Sequence, residues 1–430
     1  DTASYSYSLQ QCVDFAKQHN VSVQNAVLDQ QAASYKVKET TGAYLPQINS
    51  TASVQHFEEF PTTVVPTGGS GPFGGGPPGH YFTFSLGTSE NASLGFSGSQ
   101  LLFNGSLVVA LKATKTYEEL AQKNVDRTSI ETSAEVTKAY YSVLVNDEKK
   151  KLLDANLDRV KKLVDDTKAL YANGFVEKID VDRITVTYTN LQTEAVNVNR
   201  LLDLSIVLLK YQMGMDQSAK LTLTDKIENL NFVPESPLTG KFDYSKRIEY
   251  QISNLNLTGQ KLLMRSERMG YFPTVALFGT LSTNAYRSKM DYFKHTTPWY
   301  PIALVGLQVN IPIFDGLQRH YRVQQDRVGV LKAQNTLVFM QQTIDMQQAV
   351  ARVNLQNSVA SLQSQKDNMT LAESVFDDAK KKYDQGMGSN LEVINAQTSL
   401  KEAQTNYFNA LYDAVIAKVE YDKSIGTLTK

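Results

Sequence analysis

The sequence predicts a mixed α and β membrane protein in which one succession of helices and strands is built twice. Three observations predict this fold class. Residues recur at a constant offset of 212, as Tyr171 and Tyr383 do. Long stretches without proline carry apolar residues at helical spacing. Short segments between them have one apolar face and one face of small polar residues, which is typical of strands with lipid on one side and water on the other.

The repeat divides the chain into two halves and a connection. The segment "YANGFVEKIDV" at 171–181 corresponds to "YDQGMGSNLEV" at 383–393. A repeat of this length is one structural unit made twice. The sequence therefore predicts a first structural repeat at 1–214, a linker or equatorial segment at 215–243, and a second structural repeat at 244–430.

The first repeat opens with a helical segment at about 8–43, where Ser8 suits a capping box. Pro46 ends this segment, because proline has no N–H and disfavours helix before it. Asn104 is placed to cap a very long helix, and Gly174 supplies the left-handed conformation that ends it. The elements predicted after the opening segment are strands at about 45–58 and 90–103, a long helix at 104–172 and a helix at 176–213.

The second repeat follows the same order. Its opening helical segment at 245–269 is ended by Pro273, Asp315 is placed to cap the long helix, and Gly386 breaks that helix. The elements predicted after the opening segment are strands at about 271–284 and 301–314, a long helix at 316–384 and a helix at 389–425.

The helical prediction is strongest near the C-terminus, where apolar residues recur every three or four positions. This spacing is a heptad seam, typical of coiled coils. A helix as long as 104–172 is too long for an ordinary globular core, so it needs other long helices beside it. The seam residues are Val393, Ala396, Leu400, Ala403, Tyr407, Ala410, Ala414, Ala417 and Tyr421.

The strands are amphipathic. In "VGLQVNI" at 305–311, valine, leucine and isoleucine alternate with glycine, glutamine and asparagine. A soluble half-buried sheet has the same period, but aromatic residues cluster where the strands meet their loops, and this favours a membrane interface. Four strands cannot close a barrel, so strands in lipid require the chain to oligomerise. The predicted interface aromatics are Tyr81, Phe82, Phe84, Tyr286, Trp299 and Tyr300.

Composition and motifs argue against several other classes of function. The formal net charge is −1, whereas nucleic-acid binding needs a basic excess. The single cysteine, Cys12, excludes an internal disulfide; we interpret it as a packed helix residue, and the site of a lipid anchor is the other interpretation. The five histidines lack the spacing of metal ligands, and no catalytic motif is present. We therefore expect no enzyme activity, no cofactor and no metal site.

At this point the sequence resembles the outer membrane efflux protein family, the TolC-like trimeric exit ducts. The resemblance rests on "YSLQQCVDFAKQHN", "AYLPQINSTASV", "NIPIFDGLQRHYRVQQ", "SIGTL" and the two glycine-centred breaks, and it covers essentially the whole chain. It implies a homotrimer with a β-barrel of about 12 strands, four from each chain, continued by a long periplasmic α-helical coiled-coil barrel. It also implies the outer membrane of a Gram-negative bacterium as location, with a signal peptide removed.

The function that the resemblance implies is a passive exit duct of a tripartite efflux or type I secretion system. The duct would be gated at its periplasmic end, and its partners would be a periplasmic adaptor (membrane fusion) protein, an inner-membrane pump of RND or ABC type, and outer-membrane lipid. Efflux of several drugs or other small molecules is favoured. A soluble coiled-coil scaffold of the periplasm is the alternative, and it does not explain the amphipathic strands.

The resemblance also implies a gate. The family places two acids at the narrowest point after the second break, and here those positions hold Glu392 and Asn395, so a trimer would have one ring of three carboxylates. Glu392 as a solvated acid in a first helical turn is the other interpretation. Asp180 and Tyr383 match two members of the family's gate network, whereas Gly388 stands at the arginine position. Arg183 or Lys178 could replace that arginine. The predicted turns for gate and adaptor contact are Asn173, Gly174, Gln385 and Gly386.

The glycine- and proline-rich stretch at 61–80 has no counterpart in the second half. It lacks the lysine and following helix of a phosphate-binding loop. We therefore predict a flexible surface loop that faces the outside of the cell.

Overall fold

A computed structural model describes residues 4–68, 77, 79–227, 242–294 and 297–428. Over these residues, the chain forms eight strands, seven α-helices and a short 3-10 helix at Tyr244–Lys246, and two of the α-helices are far longer than the rest. In chain order they are β1 (Ser4–Tyr7), α1 (Leu9–His19), α2 (Val21–Gly42), β2 (Gln47–His56), β3 (Thr62–Pro66), β4 (Tyr81–Ser85), β5 (Glu90–Phe103), α3 (Gly105–Ala172), α4 (Lys178–Met213), β6 (Lys220–Leu223), α5 (Ile248–Met269), β7 (Thr274–Arg287), β8 (Tyr300–Asn310), α6 (Gln318–Asp384) and α7 (Asn390–Ile425).

The chain divides into two compact units. The helical unit comprises Asp1–Ala33, Tyr117–Thr258 and Leu331–Lys430. The sheet unit comprises Ser34–Thr116 and Gly259–Val330. Each unit therefore draws residues from both halves of the sequence, and the predicted division at 1–214, 215–243 and 244–430 stays a prediction.

The opening helical segment is two helices, where the sequence predicts one. Ser8 and Gln11 form the predicted capping box at the start of α1. Asn20 then interrupts the segment with an extended backbone (φ −66°, ψ 127°). Its side-chain Nδ2 donates to the backbone oxygen of Gln212 at 2.8 Å, which holds the end of α1 against the end of α4. The interruption depends on this distant partner, so the local pattern does not reveal it.

One core of the helical unit forms around α1. Buried Cys12 and Ala16 pack with Tyr140 of α3 and Met213 of α4. Burial, and then the nearby Asp225 carboxylate, raise the pKa of the Cys12 thiol to about 12. The thiol is therefore protonated at neutral pH, and the interpretation of Cys12 as a packed helix residue is confirmed.

Two short strands join distant parts of the helical unit. β1 pairs in parallel with β6. Asp225, just after β6, accepts hydrogen bonds from the backbone N–H of Leu9 at 2.9 Å and from the hydroxyl of Tyr140 at 2.8 Å. The sequence predicts neither strand, and β6 lies inside the predicted linker at 215–243. Residues 228–241 of that linker lie outside the described residues.

The sheet unit contains an antiparallel sheet with the strand order β2-β5-β7-β8. β5 and β7 lie in the middle, and they come from different halves of the sequence. Within the described residues, β2 and β8 are the two edge strands, each paired on one side only.

The stretch predicted as a flexible loop at 61–80 contains regular structure. Its described part includes β3, which pairs with β4 in an antiparallel hairpin from Thr62↔Ser85 to Pro66↔Tyr81. The flexible-loop prediction is therefore wrong for residues 62–66, because cross-strand pairing stabilises them. Residues 69–76 and 78 lie outside the described residues.

The predicted glycine caps at Gly174 and Gly386 are confirmed. Gly174, Gly214, Gly386 and Gly426 end four helices in the left-handed region, with φ between 71° and 78°. Gly214 has a second reason to be glycine, because a Cβ there would collide with the backbone of His19 and Asn20 in the helical unit.

The long helices begin with polar caps. The side chain of Asn104 accepts from the backbone N–H of Leu107 at 3.1 Å at the start of α3. Asp315 accepts from the backbone N–H of Arg319 at 3.2 Å, and α6 starts at Gln318 after two residues in the left-handed region. The heptad seam of α7 is largely buried, with Val393, Leu400 and Ala414 completely so.

Candidate functional site

The four-stranded sheet has two chemically different faces. Residues that are direct partners across antiparallel strands share a face, so the register assigns every side chain to one face or the other. Ile48 faces the same way as Gly98 and Gly279, and through them as Val305. Positions one residue along each strand face the opposite way.

One face is apolar and exposed. Val305, in the middle of edge strand β8, is 79% exposed. A water-exposed apolar face of this extent is unusual in a soluble protein. Its apolar residues include Ile48, Ala52, Val54, Ala92, Leu94, Phe96, Leu277, Leu281, Ala285, Ala303, Val305, Leu307 and Val309, of which Ala92 and Ala285 are buried. Ser50, Gln100 and Thr283 are polar residues on the same face.

The opposite face is mostly small and polar. Its aliphatic and phenylalanine members are Leu101, Ala276, Phe278, Ile302 and Leu304. A face with this composition is suited to water, so the sheet can separate a lipid phase from an aqueous one. Its polar residues include Asn49, Thr51, Ser53, Ser93, Ser97, Ser99, Thr280, Ser282, Asn284 and Gln308.

A row of ionisable residues lies at one end of the apolar face. His56, Glu90 and Arg287 are cross-strand partners in one row. His56 Nδ1 lies 2.7 Å from Glu90 Oε1, and the hydroxyl of Tyr292 donates to Glu90 Oε2 at 3.1 Å. The Arg287 guanidinium donates to the backbone oxygens of residues 297 and 298 at 3.0 and 3.1 Å. The row marks where the apolar surface ends.

The predicted interface aromatics lie in three places. Tyr286 and Tyr300 lie near this end of the sheet on the polar face, with ring centroids 6.1 Å apart. Trp299 precedes β8, and its Nε1 donates to the backbone oxygen of Tyr292 at 3.3 Å. The remaining three, Tyr81, Phe82 and Phe84, all lie on β4 in the separate hairpin. Their role at a membrane interface stays a prediction.

The two helix breaks have the same hydrogen-bond pattern. The N–H of Gly174 donates to Tyr171 O and that of Phe175 to Leu170 O, both at 3.0 Å. The N–H groups of Gly386 and Met387 donate to the carbonyl oxygens of residues 383 and 382, both at 2.9 Å. Both turns are Schellman-type caps, which satisfy the carbonyls at the end of each long helix.

Both turns expose a large apolar side chain directly after the glycine. Phe175 is 77% exposed and Met387 is 72% exposed. Asn173 donates its side-chain Nδ2 to the carbonyl of Ala169 at 2.7 Å, and the backbone N–H of Gln385 donates to Lys381 O at 3.1 Å. The four predicted turn residues therefore stabilise the two turns through these hydrogen bonds. The exposed side chains of Phe175 and Met387 are accessible to another molecule.

Glu392 lies in the first turn of α7, where Ser389 is the N-cap. The Ser389 Oγ accepts from the backbone N–H of Glu392 at 3.2 Å. Glu392 and Asn395 are both exposed, one turn apart. An acid in this position is favoured by the helix dipole. The arrangement fits both the pore-ring interpretation and that of a solvated first-turn acid.

The predicted gate network is only partly assembled within one chain. Arg183 Nη1 lies 4.0 Å from Asp180 Oδ1 on the same helix, and the substitution of Arg183 or Lys178 for the missing arginine stays a prediction. Tyr383 contacts a different helix, with its hydroxyl 3.4 Å from Thr167 Oγ1. Among the interactions described for these residues, none joins Tyr383 to Asp180.

Sequence reasoning missed Asn390, which joins the first turns of α4 and α7. Asn390 is buried, and its Nδ2 donates to the backbone oxygen of Asp180 at 2.8 Å. The signal that could have revealed it is its seven-residue spacing from Gln397 and Gln404 inside the heptad pattern.

The described residues contain no cluster of three or more histidine, cysteine or acidic side chains that could hold a metal ion. None of the described helices is both long enough and apolar enough to cross a membrane.

Comparison with known proteins decides the family. The family model for the outer membrane efflux protein matches residues 13–214 and 263–427, which is most of the chain. The chain belongs to the outer membrane efflux protein family. This family consists of channels located in the outer membrane and is not a family of enzymes. The protein is therefore an outer membrane efflux channel that extends into the periplasm.

Curated relatives agree with this assignment. The outer membrane protein TolC of Vibrio cholerae is 20% identical over 439 residues, which is 100% of this chain and 93% of the relative. The cobalt-zinc-cadmium resistance protein CzcC of Cupriavidus metallidurans is 23% identical over 329 residues, 75% of this chain and 74% of the relative.

Solved structures show the same fold. The channel CusC superposes with a TM-score of 0.77 at 15% identity, covering 99% of this chain and 93% of that one. The open state of MtrE from Neisseria gonorrhoeae superposes with a TM-score of 0.75 at 16% identity, covering 97% of this chain and 88% of that one. The chain thus has the fold of TolC-like channels, with long helices and a small amount of sheet.

Proposed function

We propose that three copies of this chain form the outer-membrane exit duct of a tripartite efflux system. The observation that carries the proposal is the four-stranded sheet with one apolar face, one polar face and two edge strands, β2 and β8. Unpaired edges are not tolerated in lipid, so β8 of one copy would pair with β2 of the next. Three copies would close a barrel of about 12 strands with the polar face inward.

The helices would continue this barrel as a tube across the periplasm, gated near the breaks at Gly174 and Gly386. Three copies of Glu392 would form a carboxylate ring at the constriction, beside Asn395. Asp180, with Arg183 next to it, and Tyr383 would make contacts between chains that hold the gate closed.

A periplasmic adaptor would dock on the helix breaks, and an inner-membrane pump of RND or ABC type would supply the energy. The exposed side chains of Phe175 and Met387 support this docking place, because exposed apolar residues on a tight turn suit an apolar groove in a partner. The channel itself would remain passive.

The experiment that tests the gate is single-channel recording of Glu392→Gln. We expect weaker block of the current by multivalent cations added on the periplasmic side, because neutral amides replace the ring of three carboxylates. Glu402→Gln is the matched control, since Glu402 is exposed on the same helix outside the proposed constriction. If multivalent cations block the current of Glu392→Gln as strongly as that of wild type, Glu392 does not line the constriction.

Small molecules such as drugs are the favoured cargo. Divalent metal ions are the second candidate, because the relative CzcC is named for cobalt, zinc and cadmium resistance. A gene deletion separates these two cargoes from type I secretion. The deletion strain is compared with wild type for its sensitivity to drugs, its sensitivity to these metals and the amount of protein that it secretes.

A further inference from the structure

Helix α7 buries a row of three amide side chains. Asn390, Gln397 and Gln404 are seven residues apart, so they lie on one face of the helix. Their exposed fractions are 4%, 2% and 7%. The next residue of the row, Leu411, is buried as well but apolar. The polar part of the row thus covers the N-terminal half of α7, which begins at the second helix break.

Two of the three amides bind neighbouring helices. Asn390 donates to the backbone oxygen of Asp180 on α4 at 2.8 Å. Gln404 accepts from the Nδ2 of Asn156 on α3 at 2.6 Å, and Asn156 is itself 1% exposed. The row therefore ties α7 to both helices, once near the break and once about two heptads further along.

Gln397, between these two, has no hydrogen-bond partner in the part of the chain that the structure describes. Among these residues, no protein group bonds to its Nε2 or Oε1, or to the Oδ1 atoms of Asn390 and Asn156. Buried amides are nearly always satisfied, by protein groups or by ordered water. Four unpaired atoms along one seam therefore point to water as the missing partner.

A small cavity lies at the Gln404 end of the row, and Asn390, Gln397 and Asn156 are not among the residues that line it. A space of about 20 Å³ is lined by side chains of α3, α4 and α7, Gln404 among them. That volume is enough for one water molecule. The ion pair between Lys401 and Glu194 joins α7 to α4 at the same place, so the seam remains polar beyond the amides.

We propose that Asn390, Gln397 and Gln404 form a hydrated polar seam, in which ordered water bonds to the Gln397 amide and lets the N-terminal half of α7 repack against α3 and α4. Interlocked apolar side chains resist small shifts, whereas a water molecule can exchange one hydrogen-bond partner for another. This role in repacking rests on the proposed gate at the helix breaks. The presence of water in the seam does not depend on it.

Thermal unfolding of the detergent-solubilised protein tests the seam. Gln397→Leu should raise Tm by about 2 °C, because an apolar side chain replaces a buried amide that is bonded only to water, and no protein group loses a partner. Gln404→Leu should lower Tm by a similar amount, because Asn156 Nδ2 loses its acceptor. Gln192→Leu, the same change at an exposed position of α4, is the control and should leave Tm unchanged. A fall in Tm for both Gln397→Leu and Gln397→Met would overturn the proposal.

Two further measurements separate water binding from gating. A high-resolution map of the native protein should show ordered water bonded to the Gln397 amide, and an empty seam would overturn the proposal. In planar bilayers, Gln397→Leu should slow the switching between open and closed levels by about tenfold, which corresponds to about 1.4 kcal/mol, the size of one hydrogen bond. Unchanged switching in Gln397→Leu would show that the seam has no role in gating. A wild-type protein without any channel current would instead refute the proposed function.

Discussion

Gly174 and Gly386 decide where the two long helices stop. Both have positive φ, and a Cβ at either position would meet open space. The requirement for glycine is therefore conformational and not steric, because residues with a Cβ are strained in the left-handed region. The exposed Phe175 and Met387 depend on these turns for their position.

Replacing Gly386 by alanine should lower the free energy of unfolding by about 1 kcal/mol, because alanine is strained at this φ of 73°. The control is Gly259→Ala in the interior of α5, where a Cβ also meets open space. There the change should be neutral or raise stability, since alanine favours helix. Thermal unfolding of both variants checks this, and equal stability of Gly386→Ala and wild type would contradict it.

Glu249 carries a pH-dependent part of the stability. It accepts from Arg247 Nε at 2.9 Å, and the side chain of Arg247 is 5% exposed. Burial alone would raise the pKa of Glu249, but the hydrogen bond and charge of Arg247 outweigh burial and lower it. A carboxyl whose pKa is lowered on folding stabilises the fold above its ordinary pKa, and this contribution is lost as pH falls through the folded pKa.

Glu249→Gln should therefore cost about 2 kcal/mol at neutral pH, because a charge-assisted hydrogen bond to a buried guanidinium is weakened. The difference from wild type should begin to shrink as the pH falls below 4.5, the ordinary pKa of the group, and should disappear once the pH is below the lowered pKa of Glu249 in the folded protein. Unfolding measured from pH 7 down to pH 3 checks this. Glu373→Gln, at an exposed position of α6, is the control and should show no such dependence.

At the scale of elements, the sheet is the part whose chemistry can be tested most directly. Val305 and Leu304 are neighbours at the middle of β8, and they point to opposite faces. Both are aliphatic and more than half exposed. A substitution at each therefore compares the two faces at one depth.

Val305→Arg should prevent stable insertion, because an arginine on the lipid face near the bilayer midplane costs about 2–4 kcal/mol. Leu304→Arg should be tolerated, because its face would line the aqueous lumen. Refolding into lipid vesicles, followed by a gel assay for heat-modifiable protein, measures both. If Val305→Arg inserted normally and Leu304→Arg did not, the assignment of the faces would be reversed.

The elements that sequence periodicity does not reveal are short and depend on distant partners. β1 and β6 have four residues each and are held by pairing across more than 200 positions of sequence. The β3–β4 hairpin likewise needs its partner strand. The long helices, in contrast, carry many repeats of the apolar seam, so their period is visible locally.

For the whole molecule, the two edge strands predict the assembly. We expect the detergent-solubilised protein to have the mass of three chains, because only pairing between copies satisfies the edges of β2 and β8 in lipid. Light scattering with correction for bound detergent measures this mass. A stable single-chain particle that needs no detergent would contradict the proposed duct.

The sequence by itself determined the long helices, the glycine breaks, the alternating strands and the family. Each of these depends on spacing within a few residues or on motif order, which a linear chain displays. Tertiary structure alone decided that Asn390, Gln397 and Gln404 are buried and that Asn20 and Asp225 bind distant backbone and side-chain groups. It also brought β5 and β7 together from different halves of the chain. The physical reason is that burial and hydrogen bonding depend on which distant residues are neighbours, and that information appears only when the chain is folded.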